Sequence, residues 1–228
     1  MKKVLILVVA LTLVTAGVAF AGIANTKHNL STTNHPATNT YFSTTEDEIC
    51  VFCHTPHAAT AVPLWNRNTP AGPFTGYSSN TFNGGTIALG AGSLNCMSCH
   101  DGVSGLNVVI NGVGPGAGRA ITMNANGNII GAGPTNLGTD LSNDHPVGFV
   151  YATSKAADTG IAADTTALNA NWINASGATT IAGLMRNTQM ECASCHEPHV
   201  ENTYDATKVS FLRNANAGSN MCLTCHLK

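Results

Sequence analysis

Charge is scarce in this chain: Asp, Glu, Lys and Arg together make up only 10% of its 228 residues. Once Lys2 and Lys3 are set aside with the N-terminal segment described next, eight basic residues stand against twelve acidic ones, a formal charge of minus four. That balance argues against nucleic acid as a partner, because no excess of Lys and Arg is available for a phosphate backbone. Long apolar runs are as scarce. Only Val4 to Ala19 approaches the length that crosses a bilayer. It follows the basic start Met1-Lys2-Lys3 and precedes Ala19-Phe20-Ala21, an A-x-A cleavage site. The order reads as a secretory signal over residues 1–21, with the mature chain beginning near Gly22; an uncleaved membrane anchor is the alternative. No cysteine lies at the cleavage site, so a lipid anchor is not indicated. Asn, Thr, Ser, Ala and Gly dominate, and such a chain should have few long helices, since Gly and small polar residues favour turns and caps.

Cysteine is absent outside one pattern. All eight fall in four copies of C-x-x-C-H: Cys50 and Cys53 before His54, Cys96 and Cys99 before His100, Cys192 and Cys195 before His196, Cys222 and Cys225 before His226. This is the attachment signature of c-type haem. Two thiols three residues apart can form thioethers to the vinyl groups along one porphyrin edge, and the imidazole that follows is held under the iron as an axial ligand. A zinc ribbon, a thioredoxin-like redox pair and four disulfides in an exported chain are the competing uses of such pairs. A histidine in the fifth place all four times favours four haem c groups over these. Haem is attached to such proteins outside the cytoplasm, so motif and signal agree on an exported protein, extracellular or at the cell surface, alternatively periplasmic.

Motif spacing divides the chain into the signal at 1–21, an N-terminal dihaem region at 22–105, a Gly/Asn/Thr-rich insertion carrying His145 at 106–190, and a C-terminal dihaem region at 191–228. The macrocycles would supply much of the apolar interior. The expected fold class is therefore a multihaem cytochrome c, mostly loops and turns with short helices and a few short strands, folded around four covalently bound haems. Within the insertion, "NGVGPGAGRA" and "GNIIGAGPTNLG" are turn-rich, while Val108-Val109-Ile110 and Gly148-Phe149-Val150-Tyr151 are β-prone. Apart from His145, most of that stretch reads as a surface insertion without a part in the chemistry.

Four six-coordinate irons need eight axial ligands, and the motifs supply His54, His100, His196 and His226. Five histidines remain for four vacancies: His28, His35, His57, His145 and His199. His57 and His199 each follow a motif histidine by three residues, in "HTPH" and "HEPH". Three residues span at most roughly 10 Å, too little to pass round a porphyrin edge, so each should ligate the iron of a neighbouring haem and bring two haems close together. For His199 the simplest neighbour is the haem at His226. His145, in "SNDHPVGF", precedes a proline that holds the backbone extended, and His28, in "TKHNLS", precedes the first motif; both are expected distal ligands. His35, in "NHPAT", is the reserve or inter-subunit ligand. Methionine is the competing axial ligand; Met97 and Met221 sit too close to motifs, and Met123, Met185 and Met190 are not needed.

The repeated C-x-x-C-H motifs, "KHNLS", "CVFCHTPH" with "PLWNR" behind it, "NDHPVGF" and "CASCHEPH" resemble the multihaem cytochromes c with doubled C-x-x-C-H motifs, most of all the OmcE-type tetrahaem cytochromes that polymerise into extracellular filaments. The resemblance implies bis-histidine ligation, a continuous stack of haems, and one haem whose distal histidine comes from the adjacent subunit. Which of His28 and His35 would act between subunits stays open.

With both axial positions filled at every iron, no site is open to a substrate, and the chain should move electrons rather than transform molecules. The expected function is electron transfer as the subunit of an extracellular filament. The alternatives are a monomeric periplasmic tetrahaem carrier and a multihaem reductase, the last disfavoured because no C-x-x-C-K variant is present. Expected partners are other redox proteins as donors and acceptors, further copies joined head to tail, and an extracellular mineral or cellular acceptor. The order of the parts agrees with head-to-tail joining: the last motif lies at one terminus, the unassigned histidines near the other.

Overall fold

The computed structural model describes residues 22–227 except 34, 58, 60–63, 71, 113–119, 125–126, 130–133, 174–176 and 201–210. The expected signal segment lies outside the described residues. Regular structure is sparse, as the composition implies. Helix α1 spans Ala91–His100, strand β1 Phe149–Val150, helix α2 Tyr151–Ala157, strand β2 Gln189–Met190, helix α3 Cys192–Cys195 and helix α4 Asn220–Cys225. Single 3-10 turns occupy Cys50–Phe52, Ile181–Leu184 and Ala217–Ser219. Among the described residues no helix is long and apolar enough to cross a membrane.

Local chemistry explains where these short elements stop. At the end of α1, Gly102 takes φ +73, a left-handed conformation that glycine enters without a Cβ penalty. The Asp101 carboxylate there accepts the N–H groups of Val103 at 2.9 Å and Ser104 at 2.7 Å, turning the chain away from the helix axis. Of the two β-prone pieces, only one is a strand. Phe149 and Val150 pair antiparallel with Met190 and Gln189, whereas Val108–Ile110 forms no strand; Ile110 instead donates its N–H to the Asn66 carbonyl at 2.8 Å.

The middle stretch corrects the expectation of a surface insertion. Phe149, Tyr151, Ala162, Trp172, Ile181, Leu184, Met185 and Met190 form one buried apolar cluster, and all of them lie between residues 149 and 190. Met221 and Cys225, beside and within the fourth motif, pack against it. Tyr151 donates its hydroxyl to the Ala162 carbonyl at 3.0 Å, which satisfies the polar end of a buried ring. In place of macrocycles alone, the chain thus supplies its own apolar platform under the C-terminal motifs. Its residues are interleaved with Gly and Asn, which hid the periodicity.

Two features join the halves. Glu191, 1% exposed, caps α3: it accepts the Ser194 N–H while its own N–H bonds the Ser194 hydroxyl at 3.0 Å. The same carboxylate accepts from the Gly90 N–H at 2.9 Å and from the Ser93 hydroxyl at the start of α1. Ser93 in turn accepts the Cys192 N–H at 3.1 Å. One buried carboxylate therefore holds the helix of the second motif against that of the third. Second, the N-terminal segment folds back over the C-terminal region, with His28 stacked on Phe211 at 4.2 Å between ring centroids. Glu191→Ala removes a helix cap and leaves buried donors without an acceptor, and should cost about 2–4 kcal/mol; chemical denaturation of the haem-loaded protein measures it, and a loss within error of zero would contradict this account.

Candidate functional site

Every C-x-x-C-H forms one helical turn. The histidine N–H closes back on the carbonyl of the first cysteine, from His54 to Cys50 at 2.8 Å, from His196 to Cys192 at 3.0 Å and from His226 to Cys222 at 2.9 Å. The second motif is the last turn of α1. Residues three apart on a helical turn lie on one face, so both thiols of each motif project to the same side. All eight thiols are free of disulfides.

Thiol neighbourhoods run in sequence order. Burial, with the Cys99 thiol adding to it, pushes Cys53 up to about 12. The Cys96 and Cys192 thiols share a hydrogen bond, which raises Cys96 and lowers Cys192 to about 7. Burial, again with a neighbouring thiol, that of Cys225, pushes Cys195 up to about 12. The first motif thus adjoins the second, the second the third, and the third the fourth.

Three pairs of imidazoles face each other. His28 and His100 have ring centroids 6.2 Å apart, His54 and His199 6.0 Å, and His145 and His226 6.3 Å. Metal–nitrogen bonds of about 2.0–2.1 Å on opposite faces, with each ring centre roughly an ångström behind its nitrogen, would put two trans imidazole centroids about 6 Å apart. These pairs therefore fit a haem iron between them. Hydrogen bonds also prepare the rings. The Nδ1 of His28 faces the Pro198 carbonyl at 3.1 Å, that of His100 the Thr135 carbonyl at 2.7 Å, that of His145 the Pro146 carbonyl at 3.0 Å, and that of His199 the Glu197 carboxylate at 2.8 Å. Each of these oxygens only accepts, so the ring proton sits on Nδ1 and Nε2 keeps its lone pair for a metal. Burial lowers His28 to about 4 and His145 below its ordinary value, which keeps both rings neutral.

The remaining histidines are placed differently. His35 stacks on Phe42 at 4.3 Å and its Nδ1 faces the Pro36 carbonyl at 3.2 Å. Among the described residues, no histidine ring faces His35, His57 or His196. His57 is exposed, its carbonyl accepting the Asn111 amide at 2.5 Å. The structure brings His199 to His54 rather than to His226, where sequence spacing set it, because the loop after the third motif turns toward the first.

Sequence reasoning missed the supports around the motifs, which are duplicated. After the first motif, Thr55 N–H bonds the Leu64 carbonyl at 2.9 Å and Asn66 N–H the Cys53 carbonyl at 2.8 Å. After the third, Glu197 N–H bonds the Phe211 carbonyl at 2.7 Å and Arg213 N–H the Cys195 carbonyl at 2.8 Å. His54 bridges Trp65 as His196 bridges Leu212, and both Leu64 and Phe211 take positive φ, +58 and +73, uncommon for bulky residues. A buried arginine follows in each copy. Arg67 donates to the carbonyls of Ser98, Leu106 and Gly105, tying the first motif to the second; Arg213 donates to the carbonyls of Ala193 and Ile173 and pairs with Glu197 at 3.0 Å. Comparing "WNR" with "LRN" in register after the two motifs is the signal that could have shown this.

Residues 186–228 match a family model described as the doubled CXXCH motif. No curated protein matches the chain. The matched region holds the third and fourth motifs and is multihaem c-type cytochrome-like; its C-x-x-C-H sites are those of covalently bound haem c with iron, and they support electron transfer. Replacing Cys222 and Cys225 together by alanine should remove one haem per chain in a pyridine haemochrome assay; an unchanged haem content would contradict the assignment of this motif.

Proposed function

We propose that the chain conducts electrons through four bis-histidine haems, ordered in space as their motifs are in sequence, and that copies join head to tail into an extracellular filament. The observation that carries this reading is the set of three facing imidazole pairs, His28 with His100, His54 with His199 and His145 with His226, at 6.0–6.3 Å. Bound haem iron supplies a one-electron ferric–ferrous couple. The protein's own residues do the rest: helical turns present the thiols, Nδ1 hydrogen bonds fix each imidazole, and Arg67 and Glu191 hold successive motifs against each other. Filling both axial positions leaves no place for a substrate on an iron so held, which favours electron transfer over a reductase.

The unmatched histidines support the filament. His196 is exposed, and among the described residues no histidine ring is paired with it as His100 is with His28. His35 is prepared as His28 is, stacked on an aromatic ring with its Nδ1 held by a carbonyl, yet no motif histidine stands opposite it. A donor and a vacancy that are not paired on one chain could be complementary on two chains, and a contact of this heterologous kind propagates when it does not close. His28, turned inward against the C-terminal region, is thereby assigned within the chain and His35 between chains. Electrons would enter and leave by other redox proteins or an extracellular acceptor such as a mineral.

Electron microscopy of the haem-loaded protein should show filaments, and His35→Ala should give single chains with one high-spin iron, while His57→Ala should still polymerise. A native protein that sediments as a single chain with all irons low-spin would favour the periplasmic carrier instead.

A further inference from the structure

The two duplicated motif segments differ at one chemically important position. Where the first has Thr55, two residues ahead of His57, the third has Glu197, two residues ahead of His199. Thr55 offers its hydroxyl to the His57 carbonyl at 3.1 Å. Glu197, 3% exposed, instead accepts the His199 Nδ1–H at 2.8 Å through Oε1 and holds Arg213 at 3.0 Å through Oε2. Arg213, also 3% exposed, is fixed by two further bonds to carbonyls. Its position keeps the carboxylate charged and oriented, with one oxygen left for the imidazole. The ring nitrogens of His28, His35, His100 and His145 face backbone carbonyls, which carry no charge.

A carboxylate draws the Nδ1 proton more strongly than a carbonyl does, and so leaves more electron density on Nε2. A more basic imidazole stabilises ferric over ferrous iron. We infer that Glu197 is a positioning residue that sets the haem held between His54 and His199 to the lowest reduction potential of the four. It does so through His199, whose Nδ1–H its carboxylate accepts. This rests on the proposed reading of His199 as the ligand opposite His54. The consequence for conduction is a step in an otherwise more even series, at the haem nearest the start of the motif order, where an electron arriving from one neighbour is passed on rather than retained.

The test is spectropotentiometric titration of the haem-loaded protein together with its low-spin EPR signals, in the unaltered chain and in Glu197→Gln and His199→Ala. Glutamine keeps the shape and an accepting oxygen but removes the charge. The expected result is that Glu197→Gln raises one midpoint potential and shifts one low-spin signal, the same signal that His199→Ala abolishes, while the other three haems keep theirs. In the unaltered protein that haem should be the last reduced, a readout that does not depend on the variants folding. If His199→Ala opens one iron but Glu197→Gln leaves all four potentials in place, the tuning role is overturned and the ligand assignment stands. If the His199→Ala protein keeps every iron low-spin, the ligand assignment falls and the inference with it. If the haem opened by His199→Ala is reduced before another in the unaltered chain, the ranking is overturned.

Discussion

Imidazole rings facing one another across 6.0–6.3 Å join segments of this chain that are far apart in sequence. One pair links the N-terminal arm to the second motif, another the first motif to the loop after the third, and another the middle stretch to the fourth motif. They act beside the buried contacts of Glu191 and Arg67. Among the described residues the strands are two residues long and the longest helix is ten, so the regular elements themselves fix few of the long-range contacts. In the proposed function, an iron shared by such a pair would be a short, directional tie that costs no large apolar surface, and the fold and the electron path would be the same object. Loops, which would otherwise carry too much conformational entropy, can then serve as the main structural material.

The chain buries a conventional apolar cluster between residues 149 and 190. The cluster around Phe149, Trp172, Ile181 and Met190 sits against the fourth motif, while the N-terminal half is held largely by buried polar groups. Asn66 accepts and donates across Val51 and Asn111, and Arg67 spans the carbonyls around the second motif. A buried, fully bonded arginine fixes geometry well but contributes modestly to stability. Under the proposed function, order in that half would depend more on the prosthetic groups than order in the other half does.

The C-x-x-C-H sites at Cys192 and Cys222, which the family model covers, were legible in the sequence because thioether attachment demands a fixed spacing that leaves a literal trace. The loop-rich character was legible too, from Gly, Asn and Thr. Which distal histidine meets which motif was not. His57 and His199 look alike in "HTPH" and "HEPH" and are both exposed, yet only His199 is held by a carboxylate, that of Glu197, and paired with the His54 ring among the described residues. That difference depends on how loops return in space, which local spacing does not encode. The core was hidden for a related reason: its residues are drawn singly from turns, so no period of 2 or 3.6 marks them. The duplicated Leu64 and Phe211 turns were concealed by stretches of unequal length between them and their motifs.

The central claim is that each iron is bound by a motif histidine and one specific partner from elsewhere in the assembly. A density map of the native, haem-loaded protein, resolved well enough to trace side chains, tests it most directly. It should show His28 opposite His100, His54 opposite His199, and His145 opposite His226, each across a single macrocycle. Density in which any of these three partners lies away from iron, with the position opposite the motif histidine empty or taken by another group, would contradict it.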